Sequence, residues 1–115
     1  MTEPWRGAED DTGEDRALIC SVCEQRITDD AHRTEKGGGH EHTFVNPGGF
    51  VHRVRCFAAA SGIAPIGPAE HTFSWFPGYT WQVLDCSRCR VHIGWVFRCA
   101  DDTFYGFVAD RLVEK

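Results

Sequence analysis

Residues 74–97 read SWFPGYTWQVLDCSRCRVHIGWVF and combine a dense group of aromatic residues with a CxxC motif. Three of the four tryptophans of the chain, Trp75, Trp81 and Trp95, lie in this stretch. A Pro-Gly pair between the first two predicts a sharp reversal, so that Trp81 returns on the opposite limb of a turn. Aromatic residues in this pattern have three uses: a hydrophobic core, a stacking surface for bases, or a cage for a small ligand.

Length and charge limit the classes of protein to consider. With 115 residues, the chain is expected to form one domain with a modest core. The net charge of −5 argues against a nucleic-acid partner, because phosphate binding needs a clustered basic face. Residues 1–17 are predicted to be a disordered acidic tail, and residues 18–115 the folded domain. No stretch approaches the roughly 18 apolar residues of a membrane span, and no signal peptide is evident, so a cytoplasmic protein without a membrane partner is predicted.

Short β-rich segments between Gly and Pro turn signals predict a mostly antiparallel β domain. The alternation is clearest in residues 50–56, FVHRVRC, where every second residue is predicted to share one face. The alanines of Cys56–Gly62 predict one turn of helix that ends at Gly62. Residues 63–71, IAPIGPAEH, are predicted to be a Pro-rich connection without regular structure.

Four of the six cysteines form two CxxC motifs, Cys20/Cys23 and Cys86/Cys89. Each motif directs two thiolates towards one point, and four thiolates at about 2.3 Å suit a tetrahedral, closed, structural Zn²⁺ site. A disulfide or a redox pair is the less favoured alternative, since nothing points to an oxidising compartment. The metal is expected to link the N-terminal CxxC motif to the second CxxC motif, which lies between two later strands, and so to stabilise the fold.

Cys56 and Cys99 fall outside this pattern and are predicted to be buried free thiols that behave as small hydrophobic residues, without a catalytic role. The stretch CSRCRVHIGWVF resembles the zinc-binding segment and following strand of B-type methionine sulfoxide reductases. Those enzymes carry their nucleophilic cysteine in a later segment, whereas residues 101–115 contain no cysteine. The resemblance therefore supports a shared fold and argues against a shared reaction. An enzyme of this kind, or one that processes bases, remains an alternative.

The histidines predict little chemistry of their own. His52 is interpreted as an ordinary surface or half-buried residue. His92 is expected either to brace a turn or to approach the zinc site.

The aromatic residues are the remaining candidates for a functional site. Trp95 and Phe97 share one face of a predicted strand, because side chains in a strand alternate with a period of two. Each indole N–H needs a partner when buried, so three indoles fill a small core poorly. This argument favours an open cage, with a plain aromatic core as the alternative.

Several motifs together resemble the thalidomide-binding CULT domains of the cereblon family, and the short single-domain bacterial members most of all. They are CSVC (20–23), HTFVNPGGFVH (42–52), HTFSWFPGYTWQVLDCSRCRVHIGWVF (71–97) and FYGF (104–107). The resemblance extends from about Leu18 to Leu112. It implies a β-tent, in which two antiparallel sheets meet at a structural zinc.

The resemblance also implies a metal site and a ligand cage. The implied zinc ligands are Cys20, Cys23, Cys86 and Cys89, and the implied cage has Trp75, Trp81 and Trp95 as walls with Phe97 at its base.

Four further residues are implied to contact the ligand. Asn46 and Pro47 belong to an NPxG loop that closes over it. Phe73 and Ser74 precede Trp75 in a segment whose backbone is implied to bond the ligand. Human-type members have a histidine where this chain has Phe73, so contacts outside the cage are expected to differ.

The implied ligand is a cyclic imide or ureide, such as a glutarimide of the thalidomide type, dihydrouracil or a uridine-like metabolite, or a protein terminus that ends in a cyclised imide. A cation-π cage for quaternary ammonium is the rival, but such cages usually add a carboxylate. The nearest acidic residues in sequence, Glu70 and Asp85, do not adjoin a cage position. We expect a binding module without catalysis, and no docking of a ubiquitin-ligase adaptor.

Overall fold

The computed structural model describes residues 16–115, which form nine β-strands and two short turns of 3-10 helix. The strands are β1 (Ala17–Cys20), β2 (Arg26–Asp29), β3 (Glu41–Val45), β4 (Val51–Phe57), β5 (Ile63–Glu70), β6 (Thr80–Cys86), β7 (His92–Cys99), β8 (Asp102–Val108) and β9 (Leu112–Glu114). The helical turns span Asp30–His32 and Ala109–Arg111. Nearly all of the predicted acidic tail, residues 1–15, lies outside the described residues, and Ala17 is already the first residue of β1.

The strands form two antiparallel sheets. The small sheet has the order β2-β1-β9, and the large sheet has the order β3-β4-β8-β7-β6-β5. The predicted fold class, mostly β with two antiparallel sheets, is therefore confirmed. Within residues 16–115, no helix is both long enough and apolar enough to cross a membrane.

The side chains of the large sheet form two separate hydrophobic clusters, one on each face, because successive side chains of a strand point to opposite faces. One face packs against the small sheet, and its cluster includes Phe57, Leu84, Val96 and Phe107 together with Leu18, Ile27 and Leu112 of the small sheet. The other face carries a cluster that includes Val54, Cys56, Trp95, Phe97 and Phe104. The alternation predicted for residues 50–56 is the source of this division in β4.

The prediction of an irregular connection after Ile63 was wrong, since Ile63–Glu70 forms β5. This strand lies at the edge of the large sheet and pairs only with β6. Proline lacks an N–H donor, and an edge strand tolerates this because one side of its backbone needs no partner in the sheet. The register shifts between Ile66 and Glu70, where Gly67 and Pro68 interrupt regular pairing.

The predicted helical turn over Cys56–Gly62 was also wrong. Cys56 and Phe57 complete β4 and pair with β8, and the following residues form an irregular segment. Hydrogen bonds to distant residues hold the alanines and override their helical propensity: the Ala58 N–H donates to the carbonyl oxygen of His32, and the Ala59 carbonyl accepts from the hydroxyl of Thr28. Gly62 has a φ of +66°, in the left-handed region that favours glycine. A Cβ at this position would lie 2.6 Å from the carbonyl oxygen of Arg26, so only glycine lets the two backbone segments approach this closely.

Candidate functional site

The four cysteines of the two CxxC motifs lie together where the two sheets meet. Cys20 ends β1 of the small sheet, and Cys86 ends β6 of the large sheet. Their sulfur atoms and those of Cys23 and Cys89 all lie within 4.8 Å of one another. The Cys20–Cys89 and Cys23–Cys86 sulfur pairs are separated by 3.7 and 3.5 Å. Ligands at 2.3 Å around a tetrahedral metal are about 3.8 Å apart, so the donor set fits a metal ion.

The two CxxC motifs have the same backbone geometry. In each, the N–H four residues after the first cysteine donates to that cysteine's carbonyl at 2.9 Å: Glu24 to Cys20, and Arg90 to Cys86. Glu24 and Arg90 have φ values of 68° and 69°, in the left-handed region. A non-glycine residue adopts this conformation at a cost of about 1 kcal/mol, so the surrounding structure must enforce it twice.

In the second motif, hydrogen bonding favours the thiolate form of Cys86. Burial opposes ionisation of Cys86, but hydrogen bonds from the backbone N–H groups of Cys89 and Arg88 outweigh it and lower the pKa of this thiol to about 7. A thiol that ionises near neutral pH is a ready metal ligand, since metals bind the thiolate form.

A cavity of about 540 Å³ opens on the opposite face of the large sheet from the small sheet. Seven of the eight residues predicted to contact a ligand line it: Asn46, Pro47, Phe73, Trp75, Trp81, Trp95 and Phe97. Its volume lies within the range of about 300–1,000 Å³ that is usual for small-molecule sites.

Strand pairing brings two of the indoles and the phenyl ring of Phe97 onto one face. Trp81 in β6 lies opposite Phe97 in β7, and Trp95 lies opposite Val83. Trp95 is 7% exposed and Phe97 is 1% exposed, so Phe97 closes the base of the cavity and joins it to the hydrophobic cluster beneath.

Trp75 comes from the connection between β5 and β6 and is held by three contacts. Its ring stacks on Phe44 with centroids 4.7 Å apart, and its edge meets Trp95 at 4.8 Å. Its indole N–H donates to the carbonyl oxygen of Val45 at 3.4 Å. Trp75 is therefore fixed against β3, on the far side of the large sheet from β6.

Trp81 stands apart from the other indoles. Its N–H donates to the carbonyl oxygen of Thr72 at 2.7 Å, and its ring makes no aromatic pair with any ring of residues 16–115. Trp75, Trp81 and Trp95 thus line one cavity, but Trp81 does not pack against the other two indoles.

Ser74 is the one predicted ligand contact that the structure places outside the cavity lining. Its hydroxyl donates to the carbonyl oxygen of Phe76 at 3.0 Å and accepts from the N–H of the same residue. The side chain of Ser74 is thus used to shape the turn. Asn46 also has a local role, because its side-chain oxygen accepts from the N–H of Phe50 at 3.0 Å.

Four residues that the sequence did not suggest as contacts also line the cavity. They are Phe50, Val51, His52 and His92. The two imidazoles lie at the indole of Trp95, with ring centroids at 5.2 Å for His52 and 4.8 Å for His92. Phe50 and Val51 are exposed and form part of the rim.

His92 reaches the cavity because of a β-bulge. The register of β6 with β7 shifts so that Leu84 pairs with Gly94 but Asp85 pairs with His92, and Ile93 is the extra residue. Without the bulge, His92 and Trp95 would face opposite sides of the sheet. Burial lowers the pKa of His92, and its Nε2 contacts the carbonyl oxygen of Gly94 at 3.1 Å, so the neutral ring donates from Nε2.

Neither remaining cysteine lines the cavity. Cys56 of β4 is fully buried in the hydrophobic cluster that contains Phe97, and burial raises the pKa of its thiol to about 11. Cys99 ends β7 and its sulfur lies 3.3 Å from a carboxylate oxygen of Asp101. A buried thiol with a raised pKa is a poor nucleophile. Cys99 is only partly buried, so the prediction of a buried thiol is confirmed for Cys56 and was wrong for Cys99.

Fold and site together define a small β domain in which four cysteines that could hold a metal ion lie where two sheets meet, and an aromatic cavity opens on the other face of the large sheet. No protein-family model matches this chain. The chain is similar to protein cereblon of Drosophila persimilis, with 32% identity over 108 residues that cover 86% of this chain and 17% of that protein. It is also similar to protein cereblon of Danio rerio, with 43% identity over 54 residues, or 47% of this chain and 12% of that protein.

These homologues show that the chain is a cereblon-like domain of the CULT type. The chain spans less than a fifth of the length of these relatives. The relatives are animal proteins, so the particular likeness to bacterial single-domain members stays a prediction.

Proposed function

We propose that this domain binds a small, neutral cyclic imide or ureide in the cage formed by Trp75, Trp81 and Trp95, and that it carries out no reaction. Glutarimide, thalidomide-type compounds, dihydrouracil and uridine-like metabolites belong to this class of ligand, as does a protein terminus that ends in a cyclised imide. A structural Zn²⁺ on the four cysteines is part of the proposal.

The observation that carries the proposal is the composition of the cavity. Three indoles and Phe97 line it, and its described lining contains no Asp or Glu. Indole faces attract polarised C–H groups as well as cations, but a site for a permanent cation usually adds a carboxylate. A lining of this kind favours a neutral ligand with an aliphatic ring edge.

Backbone groups beside the cage supply the polar contacts. The main-chain N–H and C=O groups of Phe73 and Trp75 have no hydrogen-bond partner within residues 16–115. An imide carries one N–H between two carbonyls, and such backbone groups complement both kinds of atom. Phe73 has a φ of 61°, and strain of this kind at a non-glycine residue is typical of ligand sites.

Zinc supplies stability in this proposal. A chain of this size buries a modest core, and a structural metal adds folding free energy because the unfolded chain has no formed site. The metal would hold Cys20 and Cys23 of the small sheet to Cys86 and Cys89 of the large sheet. Four sulfur ligands leave no open position for a catalytic water.

The absence of a reaction is supported by the positions of the free thiols. A reductase or base-processing mechanism needs a nucleophile or a metal-bound water at the ligand. Cys56 and Cys99 both lie outside the cavity lining. We further propose that the protein acts in the cytoplasm, without a nucleic-acid, membrane or ligase-adaptor partner.

The test is a set of titrations on zinc-loaded protein, monitored by tryptophan fluorescence and by calorimetry. Glutarimide and uridine are the expected ligands. N-Methylglutarimide is the matched control, because it keeps the ring and loses the N–H that would bond the backbone. Saturable binding of glutarimide or uridine with loss of binding on methylation supports the proposal.

Two other outcomes would replace it. Binding of trimethyl-lysine alone would assign the cage to quaternary ammonium ligands. No response to any of these compounds, with one zinc bound and a cooperative unfolding transition, would make the tryptophans a structural core.

A further inference from the structure

The connection between β5 and β6, residues 71–79, is called the cage loop here because it carries Trp75. Regular strand pairing does not hold it, so side-chain contacts must set its position. One was described above, from the Trp75 indole N–H to the carbonyl oxygen of Val45. In a second, the ring of Phe76 enters the hydrophobic cluster, with its centroid 4.9 Å from those of Phe97 and Phe104. A third contact lies at the end of the loop.

Asp102 forms this third contact. One carboxylate oxygen accepts from the hydroxyl of Tyr79 at 2.6 Å and from the ammonium of Lys36 at 2.6 Å. Asp102 is the first residue of β8 and pairs with Cys99 across the β7–β8 turn, so the sheet holds its backbone. Both side chains of the ion pair are partly buried, with exposures of 27% for Lys36 and 32% for Asp102.

Lys36 is itself held in place. Its carbonyl oxygen contacts His42 Nε2 at 2.6 Å, and its ammonium lies 5.3 Å from the ring centroid of Phe104. Hydrogen bonds from Lys36 first and from Tyr79 second lower the pKa of Asp102 below its ordinary value, so the carboxylate is ionised at neutral pH. A charged acceptor makes a stronger hydrogen bond to the phenol than a neutral one would.

Tyr79 links Asp102 to the part of the cage loop that carries Trp75. Its ring meets Phe104 edge-on with centroids at 5.2 Å, and its backbone N–H donates to the carbonyl oxygen of Phe76 at 3.0 Å. Phe76 is the neighbour of Trp75. A shift of the tyrosine therefore moves the turn from which the Trp75 indole projects.

We propose that Asp102, held by Lys36, is a positioning residue that sets the cage loop through Tyr79 and thereby places Trp75 for ligand binding. This inference rests on the proposed function, because the effect it predicts is on binding in the cage. Asp102 itself lies outside the cavity lining.

Asp101 provides a matched control. It is the adjacent carboxylate, it is exposed, and its one side-chain contact among residues 16–115 is with Cys99. Asp101→Asn and Asp102→Asn change net charge equally, and both substitutions are nearly isosteric. Only the second weakens the contacts to Lys36 and Tyr79.

The experiment compares dissociation constants for glutarimide and uridine in the zinc-loaded protein, its two Asn variants, Tyr79→Phe, and the Tyr79→Phe/Asp102→Asn double variant. All are measured well below their melting temperatures. We expect Asp102→Asn and Tyr79→Phe each to weaken binding by about 3- to 10-fold, and the double variant to be no weaker than the weaker single one, because the two residues act through one bond. Asp101→Asn should match the wild type.

A purely structural role predicts a different result: melting temperature falls while the dissociation constant of the folded protein does not change. That outcome, or equal effects of the two Asn variants, would overturn the inference. So would additive losses in the double variant.

Hydrogen exchange at the Tyr79 amide separates failure of this inference from failure of the proposed function. If the wild type binds neither ligand, the proposed function fails, but Asp102→Asn should still speed exchange of this amide by about 10-fold while Asp101→Asn does not. Equal exchange rates in both variants would overturn the inference itself.

Discussion

Replacing Trp81 by alanine should abolish most ligand binding while leaving the domain folded. The ring lines the cavity, and its one fixed polar contact is the bond from its indole N–H to Thr72 at 2.7 Å. A hydrogen bond of this kind contributes about 0.5–1.5 kcal/mol, and the ring is only partly buried, so we expect a loss of about 1–2 kcal/mol in the free energy of unfolding. Stacking on an aromatic wall is worth about 1–3 kcal/mol by alanine substitution, which corresponds to about 5- to 150-fold in the dissociation constant.

Trp95→Ala is the informative comparison. Trp95 is 7% exposed and belongs to the cluster that contains Phe97, so its truncation should lower the free energy of unfolding by about 3–5 kcal/mol. The two variants together separate a wall that binds a ligand from a ring that fills a core.

The assay is a pair of measurements on each variant: denaturant unfolding followed by circular dichroism, and calorimetric titration with glutarimide. Trp81→Phe is the intermediate variant, because it keeps an aromatic face and loses the bond to Thr72. A loss of 3 kcal/mol or more in Trp81→Ala with unchanged affinity would refute the cage and favour an aromatic core. Weakened binding with a small loss of stability would support it.

Three further predictions concern stability. Chelation of the metal, or Cys23→Ser, should reduce bound zinc from one equivalent and lower the melting temperature by more than about 10 °C, whereas Cys99→Ser should change neither, as measured by elemental analysis and thermal unfolding. Gly106→Ala should lower the free energy of unfolding, measured with denaturant, by about 1–3 kcal/mol, because the added Cβ would lie 2.7 Å from a methyl group of Val54. Gly39→Ala should change it little, because the atom nearest to its added Cβ would be 3.8 Å away. Burial lowers the pKa of His40, and its buried Nε2 has no hydrogen-bond partner in the described chain. The unfolded state therefore binds more protons than the folded state below about pH 6.5. The free energy of unfolding should fall as the pH drops from about 7.5 to about 5.5. His40→Leu should have a shallower pH dependence than the wild type, and equal slopes would show that this histidine is not responsible.

Much of the fold and of the candidate site followed from local patterns. Alternating residues and turn signals indicated an antiparallel β domain, and the two CxxC motifs identified the four cysteines that the structure brings together. The errors came where local preference met a tertiary constraint. The alanines after Phe57 favour a helix in isolation, but their hydrogen bonds to His32 and Thr28 hold them in an irregular segment. The prolines of β5 disfavour a strand, but pairing with β6 decided the conformation of that segment.

The sequence alone also did not predict that His52 and His92 line the cavity or that Asp102 contacts the cage loop. His52 and His92 are separated by 40 positions, yet both meet Trp95 in the cavity. Asp102 is one of two adjacent aspartates, and only the structure shows which of them meets Lys36 and Tyr79. Contacts between distant segments leave no periodicity in the sequence from which to predict them.

By itself, the sequence determined the residue types that can do chemistry: four thiols in two pairs, and three tryptophans near one of those pairs. These follow from spacing, since two cysteines three positions apart can direct their sulfur atoms to one point when the chain turns between them. The tertiary structure alone decided what surrounds the tryptophans. Strand order placed Trp81 opposite Phe97, a single inserted residue turned His92 to the cavity side, and Gly106 left room beside the Phe97 ring. The physical reason is that a cavity is a space between side chains of different strands, so its shape depends on register and packing that no single segment specifies.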